Sequence, residues 1–206
     1  RTFDDVWMLH AQSDTLYFVT TYKLYRYAPS MDSMQVFETQ RAGFHVAALV
    51  NGEYYIREWG GGLKKMVGDE LVLVPGGERF AQTRIYGVLR YDEERLLICT
   101  REEGLFLYDG QQFTPFLTEA DPYLRRTGIY TAARLPNGQF ALGTLGNGLL
   151  IIDKSGRLLY KLAKNNGLAD TTVLCTFVDQ QCGLWAGLES GLSRVGVNSR
   201  FPCYDF

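Results

Sequence analysis

The sequence lacks any long hydrophobic segment. No apolar run approaches the roughly 18 to 20 residues that a helix needs to cross a bilayer, so no membrane insertion is predicted for this segment. The chain begins Arg1-Thr2-Phe3-Asp4, without an initiator methionine or the apolar core of a secretory signal. We therefore expect the chain to be a piece of a longer protein.

Neither sign of charge predominates. The 206 residues include 21 lysines and arginines and 23 aspartates and glutamates, which gives a formal net charge of −2. Proteins that bind nucleic acid through its phosphates usually carry a basic patch or a basic overall charge. The balance therefore predicts no nucleic-acid partner for this segment.

Histidine and cysteine are both scarce. The two histidines and four cysteines are His10, His45, Cys99, Cys175, Cys182 and Cys203. A zinc site needs about four clustered nitrogen or sulfur ligands, and this spacing does not supply them, so no metal and no cofactor are predicted. Cys99 and Cys175 lie in apolar strand patterns and are interpreted as small buried thiols. Cys182 lies in a turn, and its pairing with another cysteine is left open.

What the sequence does contain is an internal repeat. Five segments share an apolar strand, a polar turn, a second apolar strand, a short loop that usually ends in Gly-Leu, and a third strand. The leucine after the loop marks each copy, at Leu24, Leu63, Leu105, Leu149 and Leu192. Successive markers are about 40 residues apart, which is a period typical of stacked repeat architectures.

The fourth copy shows the elements most clearly. Strands are predicted at Ile129–Leu135, Phe140–Thr144, Leu149–Asp153 and Arg157–Leu162. Turn residues separate them, as in Pro136-Asn137-Gly138, whose Asn and Gly tolerate a positive φ. A helix would need about 10 to 12 residues of 3.6-residue periodicity, and no such stretch stands out, so no helix is predicted. Four short strands joined by tight turns form a small antiparallel sheet.

A four-stranded sheet repeated in this way predicts a β-propeller, because one blade cannot bury both of its faces whereas blades stacked face to face can. We predict an all-β fold, a β-propeller segment of about five four-stranded antiparallel blades that is part of a larger propeller. The chain, 1–206, is predicted to be a single propeller region, with blades at about 4–40, 41–80, 81–124, 125–168 and 169–206. Whether five blades close into a ring is left open. The glycine before the third strand is expected to need a positive φ or a close approach to the neighbouring blade.

The last copy resembles a known repeat. Its segments Asn166–Asp170, Thr172–Phe177, Gly183–Gly187 and Gly191–Val195 resemble the two-component-regulator propeller repeat. The residues in consensus positions are Asp179, Gly183, Trp185, Gly187, Gly191 and Leu192. The copies that begin at Ile85 and Ile129 match more weakly, and Asn198–Phe206 resembles the segment that links one such blade to the next. Because Trp185 lies in a strand pattern that recurs in every copy, it is interpreted as a packing residue.

The resemblance implies the sensory half of a bacterial signalling protein. In this family the propeller usually precedes a triple-tyrosine-motif domain, a membrane span and a histidine kinase or a DNA-binding output, and some members respond to oligosaccharides. The resemblance therefore implies a periplasmic location. It also implies that the partners are an oligosaccharide or another small ligand and the adjacent domains of the same protein. It carries over no catalytic residues.

The loops between second and third strands supply the candidate ligand-binding residues, since function lies more often in such loops than in the scaffold. These candidates are Tyr22, Arg57, Trp59, Arg101, Glu102, Asn147 and Glu189. The indole of Trp59 is suited to stack on a sugar face beside Arg57, and the alternative is that Trp59 packs between blades. For Arg101 and Glu102 the alternative is an exposed charged turn. His10 and His45 lie on first strands and are interpreted as hydrogen-bonded wall residues.

Three functions remain open at this stage. The first is a non-enzymatic sensory propeller that recognises a ligand. The second is a rigid protein-interaction platform within the receptor. An open fragment that exposes a sheet face at each end would dimerise or aggregate, so a homodimer is left open. The third is a propeller hydrolase or lyase that assembles carboxylates across blades. No catalytic residue is predicted, because Asp92, Glu93 and Glu94 lie in a hairpin turn and no nucleophile, metalloprotease or phosphate-loop motif is present.

Overall fold

A computed structural model describes residues 5–196 of the chain, which form nineteen strands in five sheets. The chain divides into two compact units. The first unit comprises the residues up to Val88 together with Gly110–Gln112, and the second comprises Leu89–Asp109 and the residues from Phe113 onward. Within every sheet the strands are hydrogen-bonded in sequence order, so each sheet is an antiparallel meander.

The first two sheets belong to the first unit. Sheet 1 contains β1 (Met8–Gln12), β2 (Thr15–Val19), β3 (Lys23–Ala28) and β4 (Ser33–Glu38). Sheet 2 contains β5 (Phe44–Val50), β6 (Glu53–Glu58), β7 (Gly62–Val67) and β8 (Glu70–Leu73). Two short 3-10 helices, Pro29–Met31 and Gly77–Phe80, follow β3 and β8.

The other three sheets follow along the chain, and the boundary between the units falls within β9. Sheet 3 contains β9 (Ile85–Arg90), β10 (Leu96–Thr100), β11 (Leu105–Tyr108) and β12 (Phe113–Phe116). Sheet 4 contains β13 (Ile129–Arg134), β14 (Phe140–Thr144), β15 (Leu149–Ile152) and β16 (Leu158–Leu162). Sheet 5 contains β17 (Val173–Val178), β18 (Leu184–Leu188) and β19 (Gly191–Val195). The predicted all-β arrangement of four-stranded sheets is confirmed, and sheet 5 has three strands within the described residues.

The five marker leucines occupy one equivalent position. Each pairs, across the second and third strands of its sheet, with the last or the last but one residue of the second strand. The pairs are Val19 with Leu24, Arg57 with Leu63, Cys99 with Leu105, Gly143 with Leu149, and Gly187 with Leu192. The register therefore confirms the repeat that the sequence predicts.

Sheets pack face to face within each unit. The core of the first unit joins side chains of sheets 1 and 2, namely Tyr17, Val19, Leu24, Phe44, Ala47, Tyr54 and Ile56. In the second unit a core joins sheets 4 and 5, with Leu149, Ile151, Val173, Leu184 and Ala186 among its members. Strands β10 and β14 are buried along their whole length. Burying one apolar side chain contributes about 1.5 to 3 kcal/mol, so this stacking stabilises sheets whose two faces are both apolar.

A short helix that the sequence analysis did not predict lies between β12 and β13. Helix α1 (Asp121–Thr127) has a proline in its first turn, and the N–H of Gly128 donates to the Leu124 carbonyl at 2.7 Å where the helix ends. Seven residues are too few to produce a helical periodicity that stands out in the sequence. None of the helices in residues 5–196 has the length and hydropathy of a membrane span.

The cysteines differ from one another in their surroundings. Cys99 is fully buried, as predicted, but the prediction for Cys175 is wrong, because this thiol is exposed. The register shifts between Val173 and Cys175, and the shift breaks the regular alternation of buried and exposed positions on β17. Cys182 takes part in a disulfide. Cys203 and the linker-like segment 198–206 lie outside the described residues.

Candidate functional site

In three sheets a buried threonine holds the loop between the second and third strands. Its hydroxyl donates to a carbonyl at the start of the third strand and accepts an N–H from the same loop. These threonines are Thr20, Thr100 and Thr144. Because the threonine lies at the start of the loop and bonds residues at its end, the loop is held without a charged group.

Sheet 2 departs from this pattern at two consecutive positions. Glu58 takes the place of the threonine and is 1% exposed. Its carboxylate accepts the N–H of Gln40 at 2.6 Å and pairs with Lys64 Nζ at 2.6 Å. Burial alone would raise the pKa of Glu58, but hydrogen bonds from Lys64, Thr39 and Gln40 lower it below its usual value. A buried charged carboxylate therefore replaces a neutral hydroxyl under this loop.

Arg57 precedes Glu58 and is also buried, with no exposed surface. Its Nε donates to the Phe80 carbonyl at 3.0 Å and its Nη2 to the Ala81 carbonyl at 2.9 Å, whereas Nη1 is buried without a hydrogen-bond partner. Burial, and secondarily the positive charge of Arg84, lowers the pKa of Arg57 to about 10. Arg57 therefore supports the loop from inside, with one donor nitrogen left over.

Trp59 lies directly against Arg57. The guanidinium carbon of Arg57 is 3.6 Å from the centroid of the indole, which is a close cation–π contact. Arg84 approaches the same ring, with its guanidinium carbon at 5.8 Å from the centroid. The indole is half-buried, and its backbone N–H donates to the Gly43 carbonyl at 2.8 Å.

Two more aromatic side chains adjoin this indole. The His45 ring lies edge-on to Trp59 at 5.7 Å between centroids, and edge-on to Tyr86 at 5.1 Å. His45 and Tyr86 are half-buried, whereas Arg84 is exposed. We call His45, Arg57, Trp59, Arg84 and Tyr86 the aromatic–arginine cluster. All five residues belong to the first unit.

The three glycines after Trp59 have a packing role. Gly60 and Gly62 have φ of 70° and 92°, which L residues with a side chain rarely adopt. A Cβ on Gly61 would overlap the Glu58 carboxylate, and one on Gly62 would overlap the Gly77 carbonyl. The glycines therefore make room for the buried glutamate and for close backbone contact within the first unit.

Tyr22, the other predicted site residue of the first unit, is separate from this cluster. Its side chain is 53% exposed. In the part of the chain that the structure describes, no hydrogen bond or ring contact joins it to the cluster. Tyr22 stays a prediction from loop position alone.

The remaining predicted site residues lie in the second unit. Arg101 pairs with Glu102 at 3.4 Å. Glu102 also lines a pocket of about 180 Å³ between the end of sheet 3 and α1. The Asn147 side chain donates to the Tyr123 carbonyl at 2.9 Å and to Thr127 at 3.1 Å, so it anchors α1. Glu189 is exposed.

His10, on the first strand of sheet 1, packs against Tyr54 of sheet 2. His10 Nδ1 lies 3.3 Å from the Tyr54 hydroxyl, and the two rings meet edge-on. Burial lowers the pKa of His10, which favours the neutral ring. Within residues 5–196 no group of three or more His, Cys, Asp or Glu side chains is arranged to hold a metal ion.

Comparison with known proteins identifies the architecture. Neither a protein-family model nor a curated protein sequence matches the chain. The extracellular domain of the one component system BT4673 from B. thetaiotaomicron matches with a TM-score of 0.72 and 22% identity, over 95% of this chain and 28% of that one. The extracellular domain of the hybrid two component system BT3049 from the same organism matches with a TM-score of 0.66 and 16% identity, over 92% and 26%.

A third similar structure is explicitly a propeller. The WD40 β-propeller domain of Doa1 matches with a TM-score of 0.71 and 12% identity, over 92% of this chain and 62% of that one. The chain thus spans little more than a quarter of the two bacterial domains. At these identities the likeness establishes the architecture: the chain folds as a run of β-propeller blades.

Proposed function

We propose that this segment is the ligand-recognition part of a non-enzymatic sensory propeller in a bacterial two-component-type signalling protein. It binds an oligosaccharide at the aromatic–arginine cluster and passes the resulting change to the adjacent domains of the same protein. The observation that carries the proposal is the half-buried indole of Trp59, held at 3.6 Å on a fully buried guanidinium.

The indole is fixed before any ligand arrives. Arg57 is anchored by the Phe80 and Ala81 carbonyls, so the ring that stacks on it has little freedom to move. A side chain that is ordered in advance loses less conformational entropy on binding. An aromatic ring with a fixed orientation suits the flat apolar face of a sugar, and the neighbouring rings of His45 and Tyr86 extend the surface.

The sensory context has two supports. The last copy resembles a repeat of sensory propellers, and two structural neighbours are extracellular domains of signalling systems. The disulfide of Cys182 fits a periplasmic location, because disulfides persist in oxidising compartments.

The surroundings of two turn carboxylates, Asp92 and Asp153, favour the non-enzymatic interpretation. Asp92 accepts N–H groups from Glu94 and Arg95 at 3.1 and 2.7 Å and also binds the Arg95 guanidinium. Its oxygens therefore hold a hairpin turn. Asp153 does the same for the turn at Ser155 and Arg157.

The test is thermal unfolding of the 206-residue chain with a panel of oligosaccharides. A ligand that binds only the folded state stabilises it by about 2.7 kcal/mol at 100 times its dissociation constant. We expect one saccharide class to raise the unfolding temperature, and Trp59→Ala to abolish the increase. Trp7→Ala is the matched control, since Trp7 is an exposed indole of the same unit with no ring contact to the cluster. If a saccharide still stabilises Trp59→Ala, the binding site lies outside the aromatic–arginine cluster. If no saccharide stabilises the unaltered chain, the proposed function is refuted.

A second function, the interaction platform, is favoured by one observation. Leu174, Phe177 and Leu192 of sheet 5 are 41%, 65% and 62% exposed, and exposed apolar clusters often mark contact surfaces. The occupant would be an adjacent domain or, in a homodimer, a second copy. Sedimentation of the chain and of Phe177→Asp tests this: self-association that the substitution abolishes supports the platform, and a monomer that is unchanged by it argues against a homodimer.

A further inference from the structure

The aromatic–arginine cluster concentrates positive charge around one indole. The guanidinium carbons of Arg57 and Arg84 both lie within 5.8 Å of the Trp59 centroid. Among the described residues neither arginine forms an ion pair. The buried carboxylate of Glu58, the next residue after Arg57, forms its ion pair with Lys64 instead.

The other sheets carry no charge at the position of Arg57. The positions equivalent to Arg57 in the other four sheets are occupied by Val19, Cys99, Gly143 and Gly187. Sheets of the same architecture therefore form with small or apolar residues at this position. An arginine that is fully buried without a counter-ion costs free energy, and sheet 2 bears this cost alongside the hydrogen bonds that Arg57 donates to the Phe80 and Ala81 carbonyls.

Arg57 also has a donor to spare. Nε and Nη2 are satisfied by carbonyls, but Nη1 is buried without a partner. Buried donors without an acceptor are rare in folded proteins, and here the guanidinium lies on the face of the Trp59 indole instead. The like charge of Arg84 adds to the effect, and burial together with this charge lowers the pKa of Arg57 to about 10.

Arg84 has the complementary property of being accessible. It is exposed, and its guanidinium presents several N–H donors in a planar fork that matches a carboxylate or a sulfate. An anionic group beside Trp59 would relieve the repulsion between the two guanidinium groups.

We infer that the aromatic–arginine cluster binds an anionic group, a carboxylate or a sulfate, carried by the saccharide. The inference rests on the proposed function and names the ligand class, acidic oligosaccharides rather than neutral ones. Trp59 contacts the sugar ring, Arg84 pairs with the anionic substituent, and Arg57 positions the indole and supplies the second positive charge.

The experiment is isothermal titration of the 206-residue chain at low salt with three probes of equal length. These are tetragalacturonate, a chondroitin sulfate tetrasaccharide and neutral cellotetraose. We expect at least one acidic probe to bind, cellotetraose to bind at least tenfold more weakly, and the acidic affinity to fall as salt is raised. Arg84→Ala should weaken the acidic probe about tenfold or more, because hydrogen bonds to charged groups are among the strongest.

The matched control is Lys65→Gln, which removes one positive charge from sheet 2 of the same unit. Lys65 pairs with Glu53 at 2.7 Å and has no contact with the cluster. We expect this variant to bind the acidic probe as the unaltered chain does. If Lys65→Gln weakens binding as much as Arg84→Ala, the effect is one of general charge and the inference fails.

Sodium sulfate separates the anion from the sugar. A saturable thermal stabilisation by sulfate that Arg84→Ala removes would establish the anion subsite even if no saccharide bound, and would refute the saccharide as its source. Sulfate also stabilises folded proteins in general by strengthening the burial of apolar surface, but this effect is the same for the unaltered chain and for Arg84→Ala. Equal binding of neutral and acidic probes, lost in Trp59→Ala but not in Arg84→Ala, would overturn the anionic inference and leave the proposed function standing.

Discussion

The indole N–H of Trp185 donates a hydrogen bond to Asp179 Oδ2 at 2.7 Å. The other oxygen of the same carboxylate accepts the backbone N–H groups of Gln181 and Gly183 at 2.9 and 2.7 Å. One aspartate thus fixes both the turn between β17 and β18 and the tryptophan that follows it. Two residues in consensus positions of the propeller repeat therefore form a structural pair, which agrees with interpreting Trp185 as a packing residue.

The first prediction concerns this pair. Asp179→Ala removes all three acceptor contacts, whereas Asp179→Asn keeps one oxygen for the turn and loses the acceptor for the indole. We expect the urea midpoint of unfolding to fall most in Asp179→Ala and by a smaller amount in Asp179→Asn. Circular dichroism measures both. Glu189→Ala, an exposed carboxylate of the same sheet, should unfold like the unaltered chain, and equal midpoints for Asp179→Ala and Glu189→Ala would contradict the assignment.

The turn carboxylates Asp153 and Asp179 predict how the stability of the fold depends on pH. The Ser155 hydroxyl lowers the pKa of Asp153 most, and the Trp185 indole lowers the pKa of Asp179 most. Because both folded-state pKa values lie below the unfolded value of about 3.9, the stability they contribute is present above that pH. It is lost as the pH falls through the folded-state pKa values.

Urea midpoints between pH 6 and pH 2 test this dependence. The midpoint of the unaltered chain should fall steeply below about pH 4. The double variant Asp153→Asn with Asp179→Asn should be less stable at pH 6 but should show a flatter decline. A decline of unchanged steepness in the double variant would show that other groups control acid unfolding.

The architecture could be predicted from the sequence because each blade corresponds to one copy of the repeat. Each marker leucine faces an equivalent residue in its sheet, so the position of Leu149 or Leu192 locates the strands on either side. Strand ends in the fourth copy are predicted to within one residue, since turn residues such as Pro136 and Gly138 define them. Helix α1 was missed because its seven residues carry no periodic signal.

The candidate site was less predictable, because its contacts join distant parts of the chain. The carbonyl partners of Arg57 lie 23 and 24 residues further along, and no local pattern reveals that a guanidinium will be buried against them. Loop position likewise singled out Asn147, which the structure uses to anchor α1. A signal did exist: Glu58 replaces the threonine that three of the other copies carry, and Arg57 replaces a small or apolar residue, so a comparison among copies would have found it.

Two glycines at equivalent positions allow the effect of backbone strain to be distinguished from that of steric overlap. Gly104 and Gly148 both precede a marker leucine and have φ of 83° and 75°. Nothing lies within 4 Å of a Cβ built on Gly104, whereas one on Gly148 would overlap the Leu162 carbonyl of its own sheet. The positive φ is as expected, and the close approach is to the glycine's own sheet and not to a neighbouring blade.

The two alanine variants should therefore differ in stability. Gly104→Ala meets only the left-handed backbone and should cost about 1 to 2 kcal/mol. Gly148→Ala must also displace a strand carbonyl and should cost clearly more. Urea denaturation of both variants measures the difference, and an equal loss in the two would show that the Leu162 carbonyl yields freely.

Thiol labelling tests the two cysteines that are free among residues 5–196. Cys175 is exposed, whereas Cys99 is fully buried and its burial raises the pKa of the thiol. Since the thiolate is the reactive form, we expect N-ethylmaleimide to modify Cys175 in the folded chain and Cys99 only in denaturant. Peptide mapping by mass spectrometry identifies the adducts. Labelling of Cys99 at the same rate as Cys175 without denaturant would contradict the packing of β10.

The last prediction concerns the stability that Arg57 provides. Arg57→Met keeps a long unbranched side chain but leaves the Phe80 and Ala81 carbonyls without their donors, and each lost buried hydrogen bond costs about 1 to 3 kcal/mol. For the two carbonyls we expect a total loss of roughly 2 to 6 kcal/mol in urea denaturation. Arg84→Ala removes an exposed side chain and should stay within about 0.5 kcal/mol of the unaltered chain.

This contrast decides which arginine can report on ligand binding. If Arg57→Met is destabilised as predicted, a loss of ligand binding in this variant could come from a missing contact or from a disturbed loop. Arg84→Ala is then the informative variant. If Arg57→Met is instead as stable as the unaltered chain, the two carbonyls have found other donors. The guanidinium would then be dispensable to the fold, and its burial against Trp59 would point still more directly to a role in binding.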